Sequence, residues 1–470
     1  MLDRPSLLSR FGEIVGARHV LADPADMQRY LVEDRGLYHG RALCVVRPGS
    51  VEEVSRIVAL CDETNTKIVP QGGNTGLVGG QIPDESGDEI VLSTARLTAI
   101  REVDPASNTM IVEAGVTLLR AQEEAERVDR LFPLSLASEG SCTIGGNLST
   151  NAGGTAVLAY GNMRDLVLGL EIVLADGRVL SNLSRLKKDN TGYDLKHLFM
   201  GAEGTLGIIT AAVLRLFPRP RARETAFVGL ASADAALSLL TLAQERAGQS
   251  LVTFELMPRI GIDYVLRHSP GSRDPLSAPH AWYVLIELAS QGEHGLRETA
   301  ESLLSEALEK GIAEDVALAA SLDQRNTFWR LREHLSEVQK HEGGSIKHDV
   351  SVPVAAVPAF IEEASAAVGT ALPGARVVAF GHLGDGNIHF NVSQPVGADK
   401  EAFLARWHEI NDVVHAIVAS YGGSISAEHG IGRLKRDLLP KVKDKVALDV
   451  MRAIKRTLDP KGLLNPGKVL

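Results

Sequence analysis

The chain has 470 residues, more than one hydrophobic core usually serves, so two domains are expected. Its hydrophobic share of 44% and charged share of 23% are ordinary for a globular protein, and a formal net charge of −10 argues against nucleic acid or an anionic membrane as partner. Cys44, Cys61 and Cys142 are too few and too scattered for a disulfide framework or a thiolate metal site, and neither a signal-peptide core nor an uncharged apolar run of about 18 residues is present, so a soluble cytoplasmic protein is expected.

Residues 42–47 read as a strand, and Ser50-Val-Glu-Glu53 is a capping box that opens a helix with apolar positions Val54, Ile57, Val58 and Cys61. A strand at 67–70 runs directly into the glycine-rich loop 71–80. Further strands are expected at 89–93, 109–114, 166–174 and 207–217, with a helix over 117–127. This α+β half ends near Pro218 and Pro220, where two prolines suit a boundary. Beyond it, helical patterns at 233–246, 295–310, 322–340 and 354–368 alternate with strands at 251–256, 282–288, 315–319 and 376–380. That alternation predicts an antiparallel or mixed sheet covered on one face. A helical region at 400–420 precedes the final segment, and no internal repeat is found.

Besides 71–80, glycines cluster at 140–147, 151–154 and 201–207. Glycine lets backbone N–H groups approach a phosphate closely, so four such loops favour a large dinucleotide, while any one alone reads more readily as a tight turn. G-x-G-x-x-G is absent, which disfavours a Rossmann site. Gly462 to Lys468 fits G-x-x-x-x-G-K, but Val469 stands where a magnesium-binding hydroxyl is needed and the chain stops at Leu470.

The segment Phe380-Gly-His-Leu-Gly-Asp-Gly-Asn-Ile-His-Phe-Asn391 reads as two strands joined by a turn at 384–387. If Leu383 pairs with Ile388, His382 stands opposite His389, with Cβ atoms roughly 4.5–5.5 Å apart, close enough to share one metal ion. Glu428, in Ala427-Glu-His-Gly-Ile-Gly432, offers an oxygen ligand. The alternative is a hairpin whose histidines are incidental.

Taken in order, Pro70-Gln-Gly-Gly-Asn-Thr-Gly76, Gly145-Gly-Asn147, Asn151-Ala-Gly-Gly154, Gly201-Ala-Glu-Gly-Thr-Leu-Gly-Ile-Ile209, the histidine hairpin, Glu428-His-Gly-Ile-Gly432 and Asn465-Pro-Gly-Lys468 resemble the FAD-linked 2-hydroxy-acid dehydrogenases of the vanillyl-alcohol oxidase flavin fold. The resemblance spans nearly the whole chain. It implies an α+β protein in which a two-subdomain FAD-binding domain, 1–220 completed by 424–470, carries an α+β cap domain, 221–423, for substrate. FAD contacts are implied at Pro70, Gly72, Gly73, Asn74, Thr75, Gly76, Gly145, Gly146, Asn151, Gly204, Ile209 and Asn465. Covalent attachment in this fold often uses a histidine, and 71–80 contains none, so a dissociable FAD is expected. His382, His389 and Glu428 fall on the family's metal ligands, for zinc or manganese, and His429 on its general base. Arg332 and Ser336, four apart and so on one helix face, fall with Lys347 and Asn391 on the clamp for a distal substrate carboxylate.

The activity implied is oxidation of a D-2-hydroxy acid, with the D-2-hydroxyglutarate branch the nearer, D-malate next, and a D-lactate or glycolate dehydrogenase as the same-fold alternative. An electron-transfer protein or quinone is the expected acceptor, and a homodimer is compatible. Two other classes compete. A flavin-binding subunit without chemistry would have no physical need of His382, His389, Glu428 and His429, and a metal-only hydrolase would leave the glycine loops unexplained.

Overall fold

In the computed structural model, which describes residues 3–33 and 35–470, the chain divides into two compact units. One takes the chain up to Gly154, then Asn162–Arg219 and Glu428–Leu470; the other takes Thr155–Gly161 and Pro220–Ala427. The expected boundaries therefore shift in two places. Thr155–Gly161 leaves the first unit because helix Val157–Tyr160 packs on strand Leu251–Pro258 and the Thr155 carbonyl accepts from Thr253 Oγ1 at 3.1 Å. The last crossing falls at 428 rather than 424, since Ser351 and Ser424 exchange backbone hydrogen bonds of 3.0 and 2.8 Å that hold 424 to a cap strand.

The first unit contains a four-stranded sheet in which Cys44–Val46 and Lys67–Gln71 both run parallel to Glu89–Ser93. Parallel neighbours need a crossover, and helix Val51–Thr64 supplies it. Ser50 Oγ caps that helix by accepting from the Glu53 N–H at 3.3 Å, while the Glu53 carboxylate accepts from the Gly49 N–H at 2.7 Å. Val54, Ile57, Val58 and Cys61 are buried against the sheet and against Leu7, Phe11 and Val15 of helix Arg4–Val15. Lys67–Gln71 thus delivers the glycine loop at the carboxyl end of a parallel strand, where open α/β sheets place ligands. The tail reinforces this edge, since the Ile68 N–H donates to the Leu463 carbonyl and the Asn465 N–H returns to Ile68, each at 2.8 Å. The second sheet is antiparallel, with strand order Ile100–Asp104, Thr109–Glu113, Ile208–Arg215, Val167–Val173, Val179–Asn182.

The other unit is built on seven antiparallel strands, in the order Asp315–Leu318, Ala222–Leu230, Trp282–Ser290, Leu251–Pro258, Arg376–His382, Asn387–Ser393, Ser345–Ser351. Helices cover both faces, not one as expected. On the first face, Ala233–Ala247 and Leu296–Glu309 pack on the strands, Val357–Ala371 brings Phe360 against Phe390 at 5.6 Å, and Trp407–Ser420 brings His415 against His348. The second face is divided. Phe227, Tyr283, Leu285, Met257, Val378 and Phe380 form a core with Ile262, Val265, Phe328, Leu331 and Leu335 from helices Arg259–His268, Leu322–Glu333 and Leu335–Val338. By strand alternation the same face carries Glu255, His382, His389, Asn391, Lys347 and Asp349 at its other end. The helix expected over 322–340 is interrupted at His334, beyond which a short turn ends in the 3₁₀ segment Gln339–Glu342.

Candidate active site

The glycine loops of the first unit converge. Gly72 lies against Thr143, and Gly73 runs so close to the Ser141 carbonyl that an added Cβ would sit 2.0 Å from its oxygen, so only glycine fits. Thr143 in turn caps helix Ile144–Thr150, which holds Gly145 and Gly146 in its first turn and ends at Asn151 in the left-handed conformation. Pro70 packs against Gly204, and Ile209 lies buried in strand Ile208–Arg215. Asn465 Nδ2 ties the tail to both neighbours, donating to Gly80 at 2.9 Å and to Glu203 at 2.7 Å. Gln71 closes the base of the first loop through Tyr30 and Gln81, and Asn74 Nδ2 donates to the Arg29 and Val32 carbonyls.

None of the backbone N–H groups of residues 72–80, Thr75 and Gly76 among them, donates to an acceptor among the described residues. The buried Oδ1 atoms of Asn74 and Asn465 also lack partners there. A folded chain satisfies such groups with a ligand or water. A row of donors without basic side chains suits a pyrophosphate, so these residues fit FAD.

Glu203, which the sequence reading passed over in favour of its flanking glycines, braces the segment that carries His429. Its carboxylate accepts from the Ile431 N–H at 2.6 Å and the Gly432 N–H at 2.8 Å. Gly430 has φ of +82° and no room for a Cβ beside Glu203. Burial pushes the Glu203 carboxyl up to about 7 against the lowering effect of those two N–H groups.

In the second unit the histidine hairpin forms, but with a different register. His382 opposes Asn387, and His389 opposes Phe380, so the Leu383–Ile388 pairing does not occur. The turn closes over 383–386 because the Gly386 N–H reaches back to the His382 carbonyl at 3.1 Å, Gly386 takes a φ of +83°, and Asp385 Oδ1 accepts from the Asn387 N–H at 3.0 Å. The two histidines are consequently diagonal neighbours on one face, with ring centroids 5.8 Å apart. Asp349 stands opposite His389 in the adjoining strand, and the Ala427 N–H donates to the Asp349 carbonyl at 3.3 Å. Glu428 is covalently the next residue after Ala427. Two imidazoles and a carboxylate are donor types that zinc takes, so the chemistry of His382, His389 and Glu428 fits zinc or manganese.

Arg332 is 8% exposed rather than a solvated surface charge, and its Nε donates to Glu255 Oε2 at 2.5 Å. Its guanidinium lies 5.0 Å from the Phe380 ring centre. Neither of its Nη atoms has an acceptor among the described residues. Lys347, exposed, donates to the Ser336 carbonyl at 3.2 Å and pairs across the sheet with Asn391, whose Nδ2 donates to Gln339. Arg332, Ser336, Lys347 and Asn391 are thereby gathered at one end of the cap sheet. Glu255, the other residue missed from sequence, is fully buried and joins His382 Nδ1, at 2.6 Å, to Arg332. Burial pushes its carboxyl up, but His382 and Arg332 more than reverse that and hold it at about 2. An acid in the largely apolar strand Leu251–Pro258 was the available signal, because a charge is buried only with partners.

The profile described as the FAD binding domain matches residues 42–182, and that of the C-terminal domain of FAD linked oxidases matches 219–469. D-2-hydroxyglutarate dehydrogenase, mitochondrial, of Arabidopsis thaliana is 38% identical over 98% of this chain and 81% of its own. D-2-hydroxyglutarate dehydrogenase of Xanthomonas citri pv. viticola is 36% identical over 99% and 97%. Among solved structures, p-cresol methylhydroxylase with substrate bound superposes with a TM-score of 0.77 at 16% identity, covering 99% of this chain and 96% of its own, which speaks for the fold alone. The chain belongs to the FAD-linked D-2-hydroxy-acid dehydrogenases of the vanillyl-alcohol oxidase fold.

Proposed function

We propose that this FAD-dependent dehydrogenase oxidises D-2-hydroxyglutarate at C2, with D-malate as second substrate, and that it does so with a divalent metal ion. The observation that carries the diacid reading is Arg332: a largely buried cation held by Nε on Glu255, with Nη atoms that have no acceptor among the described residues, suits a substrate carboxylate. The relatives' names support the same substrate.

When bound, FAD accepts the C2 hydride and the divalent ion lowers the pKa of the substrate hydroxyl. His382, His389 and Glu428 would hold the ion, zinc or manganese. His429 removes the hydroxyl proton, since imidazole changes charge near neutral pH. Arg332 and Lys347 receive the distal carboxylate, assisted by Ser336 and Asn391. Electrons then leave to an electron-transfer protein or a quinone.

A ratio of specificities tests this reading. A charge-assisted hydrogen bond contributes about 1.5–3 kcal/mol, so Arg332→Ala should lower kcat/KM for D-2-hydroxyglutarate by roughly 10–150-fold. D-lactate, which has no distal carboxylate, should change much less, and Lys347→Ala should show the same asymmetry. A wild type that prefers D-lactate, or variants that lose both activities equally, would place the protein with the D-lactate or glycolate dehydrogenases instead.

The flavin should be dissociable, because residues 71–80 offer N–H donors and no histidine. Acid denaturation is expected to leave the yellow colour in the supernatant. Colour retained by the precipitate would mean a covalent link formed elsewhere.

A further inference from the structure

Glu255 and Glu287 are buried acids in two neighbouring strands of the cap sheet, and their surroundings differ. Glu287 is enclosed by partners that are used up on it: Arg223 at 2.8 Å, Arg325 Nε at 3.1 Å, Trp329 Nε1 at 3.1 Å and Thr225 Oγ1 at 3.2 Å. That is a closed structural network. Glu255 instead divides its two oxygens between His382 and Arg332, groups assigned here to opposite ends of the substrate.

We infer that Glu255 is the positioning residue that fixes the metal-binding histidine and the carboxylate-binding arginine relative to each other, and so sets the length of diacid the enzyme prefers. The inference rests on the proposed roles of His382 and Arg332. A carboxylate on Nδ1 selects the Nδ1–H tautomer of His382 and presents Nε2 as its ligand atom, the usual arrangement behind a metal-binding histidine. The second oxygen holds Arg332 by Nε, which leaves the Nη edge for an anion and stops the long side chain from adapting to a shorter one. Both bonds are short, the strut is fully buried, and strand pairing places Glu255 directly opposite His382. Neither end can drift independently of the other.

Glutamine keeps the length of the strut but has one acceptor oxygen, so it can serve His382 or Arg332 and not both. Aspartate keeps both oxygens and the charge but is shorter by one methylene, about 1.5 Å, and cannot span the two partners. Each variant is prepared FAD-loaded and stripped of metal. Zn²⁺ affinity is measured by competition with a chelating dye, and kcat/KM is measured for D-2-hydroxyglutarate against D-malate after zinc is restored. Glu255→Asp should weaken Zn²⁺ binding by about 10–100-fold and lower the five-carbon to four-carbon preference by at least about tenfold. Glu255→Gln should show one of these losses at full strength. A residue that only stabilised the fold would lower thermal stability and both substrates together, leaving the preference and the zinc affinity unmoved. Wild-type protein that binds no zinc or favours D-lactate overturns the functional reading beneath the inference. Wild type with both properties, alongside folded variants within about twofold of it in both readouts, overturns the role of Glu255 alone.

Discussion

His429→Asn is expected to slow flavin reduction by about 10²–10⁴-fold while changing substrate affinity only a few-fold. Asparagine approximates the size of imidazole and keeps a polar tip, but it cannot take a proton from an alcohol. The backbone that carries position 429 should stay where it is, because Glu203 holds the Ile431 and Gly432 N–H groups and Gly430 keeps its positive φ. What is lost is therefore the proton acceptor and not the loop. The measurement is anaerobic stopped-flow reduction of the bound flavin across a range of D-2-hydroxyglutarate concentrations, which separates the limiting rate from the apparent dissociation constant. A normal limiting rate with weakened binding would assign the proton to another group and leave His429 a binding role.

Much of this site can be read without coordinates because its parts are local in sequence. The loop 71–80 follows its strand immediately, and both histidines of the hairpin lie within one turn of each other. The register differs from the expected one by where the turn closes: Asp385 and two glycines permit a turn over either 383–386 or 384–387, and the choice depends on hydrogen bonds that the sequence does not contain. Strand Ser345–Ser351 was missed for a related reason. Its residues Lys347, His348 and Asp349 look like loop chemistry, yet Lys347 and Asp349 pair in register with Asn391 and His389, in a strand whose polar residues alternate with buried ones. Glu255 shows in the sequence only as an acid within a largely apolar strand, and Glu203 not at all; the partners of both lie 127 and 228 residues away, and only the folded chain brings them together. Arg332 was the opposite case. The common fate of an arginine is solvent, whereas Arg332 is buried beside Glu255 and Phe380, as the carboxylate clamp implied by the resemblance requires.

Removal of the divalent ion is expected to cost at least about 10² in turnover, and His389→Ala should reproduce the loss. His382 commits Nδ1 to Glu255, which leaves Nε2 as the nitrogen it could offer a metal, and His389, diagonal to it on the same face, would supply the second imidazole. Three protein donors would leave a divalent ion able to take the substrate's hydroxyl and C1 carboxylate, and with fewer it would be held too weakly to stay through turnover. The expected pattern has three parts. Chelated wild type should be inactive and recover with Zn²⁺ or Mn²⁺, His389→Ala should not recover at equal metal concentration, and both should keep their flavin, because the loops that fit FAD contain none of these ligands. Elemental analysis alongside the assay makes the outcome unambiguous: protein shown to be free of metal that still turns over at the wild-type rate would make the histidine pair a structural feature of the hairpin. In that event the developing charge on the substrate oxygen would have to be met by His429 and the backbone near it.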